Sequence, residues 1–113
     1  MLPMIYLQNS HGIRVREEVS AITESKVRAK KPSMYRVMLH NDDFTPMDFV
    51  VDVLQVIFLK NKSEATKIML DVHQKGMGLC GIYPYDIAET KVTLVSEEAQ
   101  KNEYPLKCTL EKD

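Results

Sequence analysis

The chain has 113 residues, 44% of them hydrophobic and 27% charged, the proportions of one soluble globular domain. Fifteen Lys and Arg meet sixteen Asp and Glu for a formal charge of −1, which argues against a nucleic-acid binder that relies on phosphate contacts. No apolar run approaches the roughly 18 residues of a membrane span.

The start, Met1 to Leu7, lacks a basic n-region and contains Pro3, so it does not read as a secretory signal. Glu17, Glu18 and Glu24 are foreign to an organellar transit peptide, and a cytoplasmic location is expected. Residues 1–33 carry six basic and three acidic side chains and end in Arg28-Ala29-Lys30-Lys31-Pro32-Ser33. Val15 to Val27 could form only a weak helix, with too few apolar positions to bury itself. The reading is a flexible N-terminal tail over 1–33 and a folded unit over 34–113.

Met34 to His40 alternates, with Tyr35, Val37 and Leu39 on one face: a strand. Asn41-Asp42-Asp43 favours a turn, because these side chains bond the local backbone. Thr45 as N-cap and Pro46 at the first helical position then open a helix to about Lys60. Ser63 is expected to cap a second helix, which Gly76 ends. Leu79 to Tyr83 is a second strand, with Pro84 marking an edge or an end. Asp86-Ile87-Ala88-Glu89 reads as a capping box for a third helix, stopped by Tyr104-Pro105. Leu106, Cys108 and Leu110 alternate as a last strand. The order βααβαβ is an α+β fold, helices covering one face of a small sheet, with antiparallel strands expected.

Cys80 and Cys108 have no C-x-x-C spacing and no adjacent His, and read as reduced, buried apolar residues. Gly76-Met77-Gly78-Leu79-Cys80-Gly81 spells the dinucleotide fingerprint, yet here a helix precedes it and a strand follows. That reverses the order phosphate binding needs, so these are turn and helix-end glycines. Asn41, Asp42 and Asp43, with Asp48, Asp52, His40 and His73 nearby in kind, match neither a calcium loop nor H-E-x-x-H. No nucleophile elbow accompanies the serines. No metal, cofactor or catalytic set is expected; the chain is not read as an enzyme.

One constellation remains. Met47 and Val50 share a face of the first helix, and Met69, Val72 and His73 share a face of the second. A helical hairpin would gather them beside the Asn-Asp-Asp loop. The product would be a methionine-lined pocket with carboxylates, an amide and an imidazole at its mouth, adaptable to several apolar side chains. The alternative is that both stripes are core and His73 is a partly exposed helix residue.

The run Asn41-Asp42-Asp43-Phe44-Thr45-Pro46-Met47-Asp48-Phe49-Val50, the segment Met69-Leu70-Asp71-Val72-His73, Ala88-Glu89-Thr90-Lys91-Val92 and the close Pro105 to Lys112 together resemble ClpS. That family comprises bacterial adaptors bringing N-end-rule substrates to the Clp ATPase–protease, and the similarity covers 34–113. It implies a three-stranded antiparallel sheet with three helices packed on one face. It also implies recognition of a first residue that is Leu, Phe, Tyr or Trp. By the resemblance, Asn41, Asp43 and His73 would bond the α-amino group and first peptide unit, with Asp42 adding negative charge. Leu39, Thr45, Met47, Val50, Met69, Val72 and Leu106 would line the side-chain pocket, Met47 excluding β-branched first residues. Asp86 and Lys91 would contact the partner, a Clp AAA+ ATPase, which would engage residues 1–33 during hand-off. A monomer is expected. The other reading is a regulatory domain of that ATPase that does not read N-termini.

Overall fold

The computed structural model of the protein describes residues 31–113. The tail reading and the weak helix over 15–27 therefore lie outside the described residues, apart from 31–33.

The alternation in Met34–His40 forms strand β1, followed by helices α1 (Met47–Val56) and α2 (Lys62–Lys75). Strand β2 (Met77–Pro84), helix α3 (Tyr85–Lys101) and strand β3 (Lys107–Lys112) complete the expected order. The sheet is antiparallel throughout in the order β2-β1-β3, so β1 is central and Pro84 closes an edge strand. Tyr35, Val37 and Leu39 join one apolar cluster with Leu54 of α1, Ala65 and Val72 of α2, and Val95 of α3. Each fully buried Val or Leu contributes about 1.5–3 kcal/mol. On the other face, His40 Nε2 and Thr109 Oγ1 share a 2.7 Å hydrogen bond, so His40 belongs to the sheet.

The β1–β2 register slips once: Val37 faces Gly81, but Met38 faces Leu79, leaving Cys80 as an extra residue. This bulge changes which side chains face in. Gly78 sits opposite Leu39, and Gly81 and Tyr83 sit opposite Val37 and Tyr35, all on the helix side. Strict alternation could not put both 78 and 81 there.

Three helix starts differ from expectation. Thr45 is not a cap: Pro46 holds that position without a side-chain bond, and Thr45 belongs to the preceding turn, its N–H and hydroxyl both donating to Asp42. Asn61, not Ser63, caps α2, in a reciprocal box with Glu64. Helix α3 begins at Tyr85 behind Pro84, so Asp86 stands in the first turn rather than capping. Its charge there suits the helix dipole. The ends differ too. Helix α1 stops at Val56, four residues early, with Leu59 in the left-handed region at φ 56°. Helix α3 stops at Lys101 because Glu103, at φ 60°, turns the chain and Tyr104 N–H donates to the Ala99 carbonyl. Gly76 does end α2, at φ 91°, a conformation that favours glycine.

Cys80 and Cys108 are buried and unbridged. They lie on strands either side of β1, about two spacings of 4.8 Å apart, beyond disulfide reach. Burial pushes the Cys108 thiol up to about 12; burial, then nearby Cys108, pushes Cys80 higher still. Burial of this kind disfavours the thiolate, the reactive form.

Candidate functional site

Between β1 and α1 the chain folds around one carboxylate. Asp42 Oδ1 accepts from Phe44 N–H at 2.8 Å and Thr45 N–H at 2.7 Å, while Oδ2 accepts the Thr45 hydroxyl at 2.7 Å. Burial alone would raise its pKa. The bonds from the Thr45 hydroxyl and the two amides outweigh that and hold it below the ordinary value. Asp42 is the loop's internal anchor. A second tie fixes where the loop begins: Asn41 N–H donates to the Gly76 carbonyl at 2.9 Å, binding it to the end of α2.

This anchoring leaves other polar groups free to face outward. Asn41, Asp43 and His73 are exposed, and among the described residues their side chains have no hydrogen-bond partner. His73 rises from the last turn of α2, and all three border one cavity of about 370 Å³. The cavity walls come from α1 (Met47, Val50) and α2 (Met69, Val72), the two faces that spacing had paired. The volume is that of a small-ligand cleft, not a packing flaw. It combines an apolar slot with a rim carrying carboxylate, amide and imidazole.

Nine of the eleven anticipated pocket residues meet there: Asn41, Asp42, Asp43, Thr45, Met47, Val50, Met69, Val72 and His73. The other two do not border the cavity. Leu39 and Leu106 are buried in the apolar cluster that includes Val50 and Val72, drawn inward because each has a strand's inward register or flanks one. Phe44 and Pro46 border the cavity and were missed. The signal for Phe44 was available: a large apolar side chain in an otherwise polar loop, here 78% exposed.

Asp86 and Lys91 lie on α3, away from the cavity lining. Asp86 is exposed. Lys91 is half-buried: its Nζ donates to the Ile57 carbonyl at the end of α1 at 2.6 Å, and lies 5.9 Å and 5.7 Å from the Phe58 and Tyr83 ring centres. A cation beside the last carbonyls of a helix offsets their partial charge.

The comparisons with known proteins bear on this geometry directly. Residues 30–109 match the family model described as ATP-dependent Clp protease adaptor protein ClpS. The chain belongs to the ClpS family. It is 55% identical over 92 residues to the ClpS adapter protein of Rhodospirillum centenum, covering 81% of this chain and 85% of that one. It is 52% identical over 106 residues to that of Phenylobacterium zucineum, covering 94% and 95%. Its fold matches the structure of Agrobacterium tumefaciens ClpS2 bound to L-phenylalaninamide, with a TM-score of 0.72 and 34% identity. That match covers 74% of this chain and all of the other. As a ClpS protein it is an adaptor delivering substrates to the ATP-dependent Clp protease, a binding module and not a catalyst. Among the described residues no helix is long and apolar enough to cross a membrane.

Proposed function

We propose that this ClpS protein reads the first residue of its substrates, admitting Leu, Phe, Tyr or Trp. The observation that carries the reading is the 370 Å³ cavity joining Met47, Val50, Met69 and Val72 to the outward-facing Asn41, Asp43 and His73. The Agrobacterium relative is bound to L-phenylalaninamide, which offers a free amine, an aromatic side chain and an amide carbonyl. Those are the three features of a polypeptide's beginning.

An α-amino group titrates near 7.7–8.0, as a rough model-peptide figure, and is mainly cationic at neutral pH. Sheltering it requires acceptors, and capture by polar loop groups is a known peptide-binding mode. In this reading Asn41 and Asp43 accept from the ammonium, His73 bonds the first peptide unit, and Asp42 adds negative charge behind them. Burying a Leu or Phe side chain contributes about 1.5–3 kcal/mol, and each charge-assisted bond about as much. Against an association cost of several kcal/mol, affinity near the micromolar scale results. An adaptor must release, and that range permits it.

Met47 is 45% exposed at the mouth; in this reading it opposes a second methyl at Cβ and so excludes Ile and Val. Asp86 and Lys91 serve the contact with a Clp AAA+ ATPase, and residues 1–33 are the segment it engages. The adaptor works in the cytoplasm as a monomer.

The deciding measurement compares a Phe-first peptide with its N-acetylated twin. Acetylation removes the charge and is expected to abolish detectable binding. Equal affinities would refute amine recognition and leave a regulatory domain that ignores N-termini. Asp43→Ala and His73→Ala are each expected to weaken the free peptide roughly tenfold, a lost charge-assisted bond. Their melting temperatures should stay near wild type, because both side chains are exposed.

A further inference from the structure

The cavity's α2 wall rests on one residue to which the reading above gives no part. Gly78 lies buried on β2, opposite Leu39 and directly beneath α2. A Cβ placed there would lie 2.8 Å from Val72 Cγ2, 3.0 Å from the Ile68 carbonyl oxygen and 3.3 Å from Ile68 Cγ2. The constraint is one of space, since Gly78 is not among the residues with positive φ. The Ile68 oxygen belongs to the helix backbone and cannot turn aside. Without a side chain at 78, α2 comes down onto the sheet farther than any other residue would allow.

Val72 is the link. It approaches the Gly78 position, borders the cavity and is itself buried, so the cavity is the open space into which it can be displaced. Interiors this dense transmit a displacement of a few tenths of an ångström instead of absorbing it. We infer that Gly78 is a positioning residue for substrate selection: by letting α2 seat on β2, it sets how far Val72 stands back from the cavity and hence how large a first side chain fits. This rests on the reading of the cavity as the first-residue pocket. It also gives the glycine-rich run at 76–81 a role. Gly76 turns the chain and anchors Asn41 through its carbonyl, while Gly78 sets the wall.

The test measures binding of Leu-first, Phe-first and Trp-first peptides, each with an acetylated control, to wild type and Gly78→Ala. The methyl pushes Val72 toward the cavity, and overpacking of this kind should lower Phe and Trp affinity roughly tenfold while Leu falls less than about threefold. A glycine with a merely structural role would lower all three together. Val72→Ala removes the closest of the three conflicts and leaves those with Ile68, so Gly78→Ala should shift the Phe-to-Leu ratio less in a Val72→Ala background than in wild type. Should Gly78→Ala alone not fold, Val72→Ala with Gly78 kept carries the test: it draws the same wall back by a methyl and should raise Phe and Trp affinity relative to Leu, and an unchanged ratio would overturn the inference. If wild type separates free from acetylated peptides and the ratio is the same with Gly or Ala at 78, the inference falls and the pocket reading stands. A wild type that does not separate them overturns both.

Discussion

Asp42→Ala is expected to weaken a Phe-first peptide by well over tenfold, and to lower folding stability by about 1–2 kcal/mol. Three donors lose their acceptor at once: the amides of Phe44 and Thr45 and the Thr45 hydroxyl. The first two sit where the chain turns into α1, whose own Pro46 start supplies no side-chain cap. The loop carrying Asn41 and Asp43 then loses the bonds that hold its shape, so binding falls further than a single substrate contact would explain. Acid offers a second readout. The folded pKa of Asp42 lies below the ordinary value of 3.8, so its contribution is complete above that value and disappears as pH falls through the lower folded one. Chemical denaturation followed from pH 7 into acid should therefore show a smaller decline for Asp42→Ala than for wild type. Parallel declines would mean that the carboxylate does not hold the loop.

Lys91→Ala is expected to cost about 2–3 kcal/mol, roughly 10 °C in melting temperature for a domain of this size. The side chain closes the end of α1 by its bond to the Ile57 carbonyl, and its ammonium lies over two aromatic rings. Lys91→Met keeps most of the apolar stem and should recover part of the loss, separating packing from charge. Binding of a Phe-first peptide should persist in both variants, since Lys91 does not border the cavity, while binding to the Clp ATPase should weaken. A Lys91→Ala protein that melts with wild type would show that the bond to Ile57 carries no weight.

The sequence was most legible where one residue type has one use. Gly76 could end α2 only by its left-handed φ, and the inward alternation of Tyr35, Val37 and Leu39 admitted only a strand. The helical faces of Met47 with Val50, and of Met69 with Val72 and His73, were equally plain, and they form the cavity. Legibility failed where a polar side chain had two nearby partners. Thr45 has the chemistry of an N-cap, but the carboxylate three residues back takes both its N–H and its hydroxyl proton into the loop, and the helix begins one residue later behind Pro46. Asn61 and Ser63 are both good caps, and Asn61 prevails because Glu64 stands three residues on and completes the box. Leu59 and Glu103 turn the chain in a conformation their side chains do not advertise, so two helix ends were placed late. Leu39 and Leu106 show a different limit: periodicity reports that a residue faces inward, not whether it meets a ligand or another side chain.

The strand that follows residue 33 is the middle one, hydrogen-bonded on one side to β2 and on the other to β3. A mechanical load applied from before Met34 along the strand would have to shear two ladders together, since neither neighbour could peel away first. An edge strand in that place would unzip one bond at a time. If residues 1–33 are the segment the ATPase engages, as proposed, the pull would meet the domain at a strand held on both sides, which would let a carrier part with its cargo and survive.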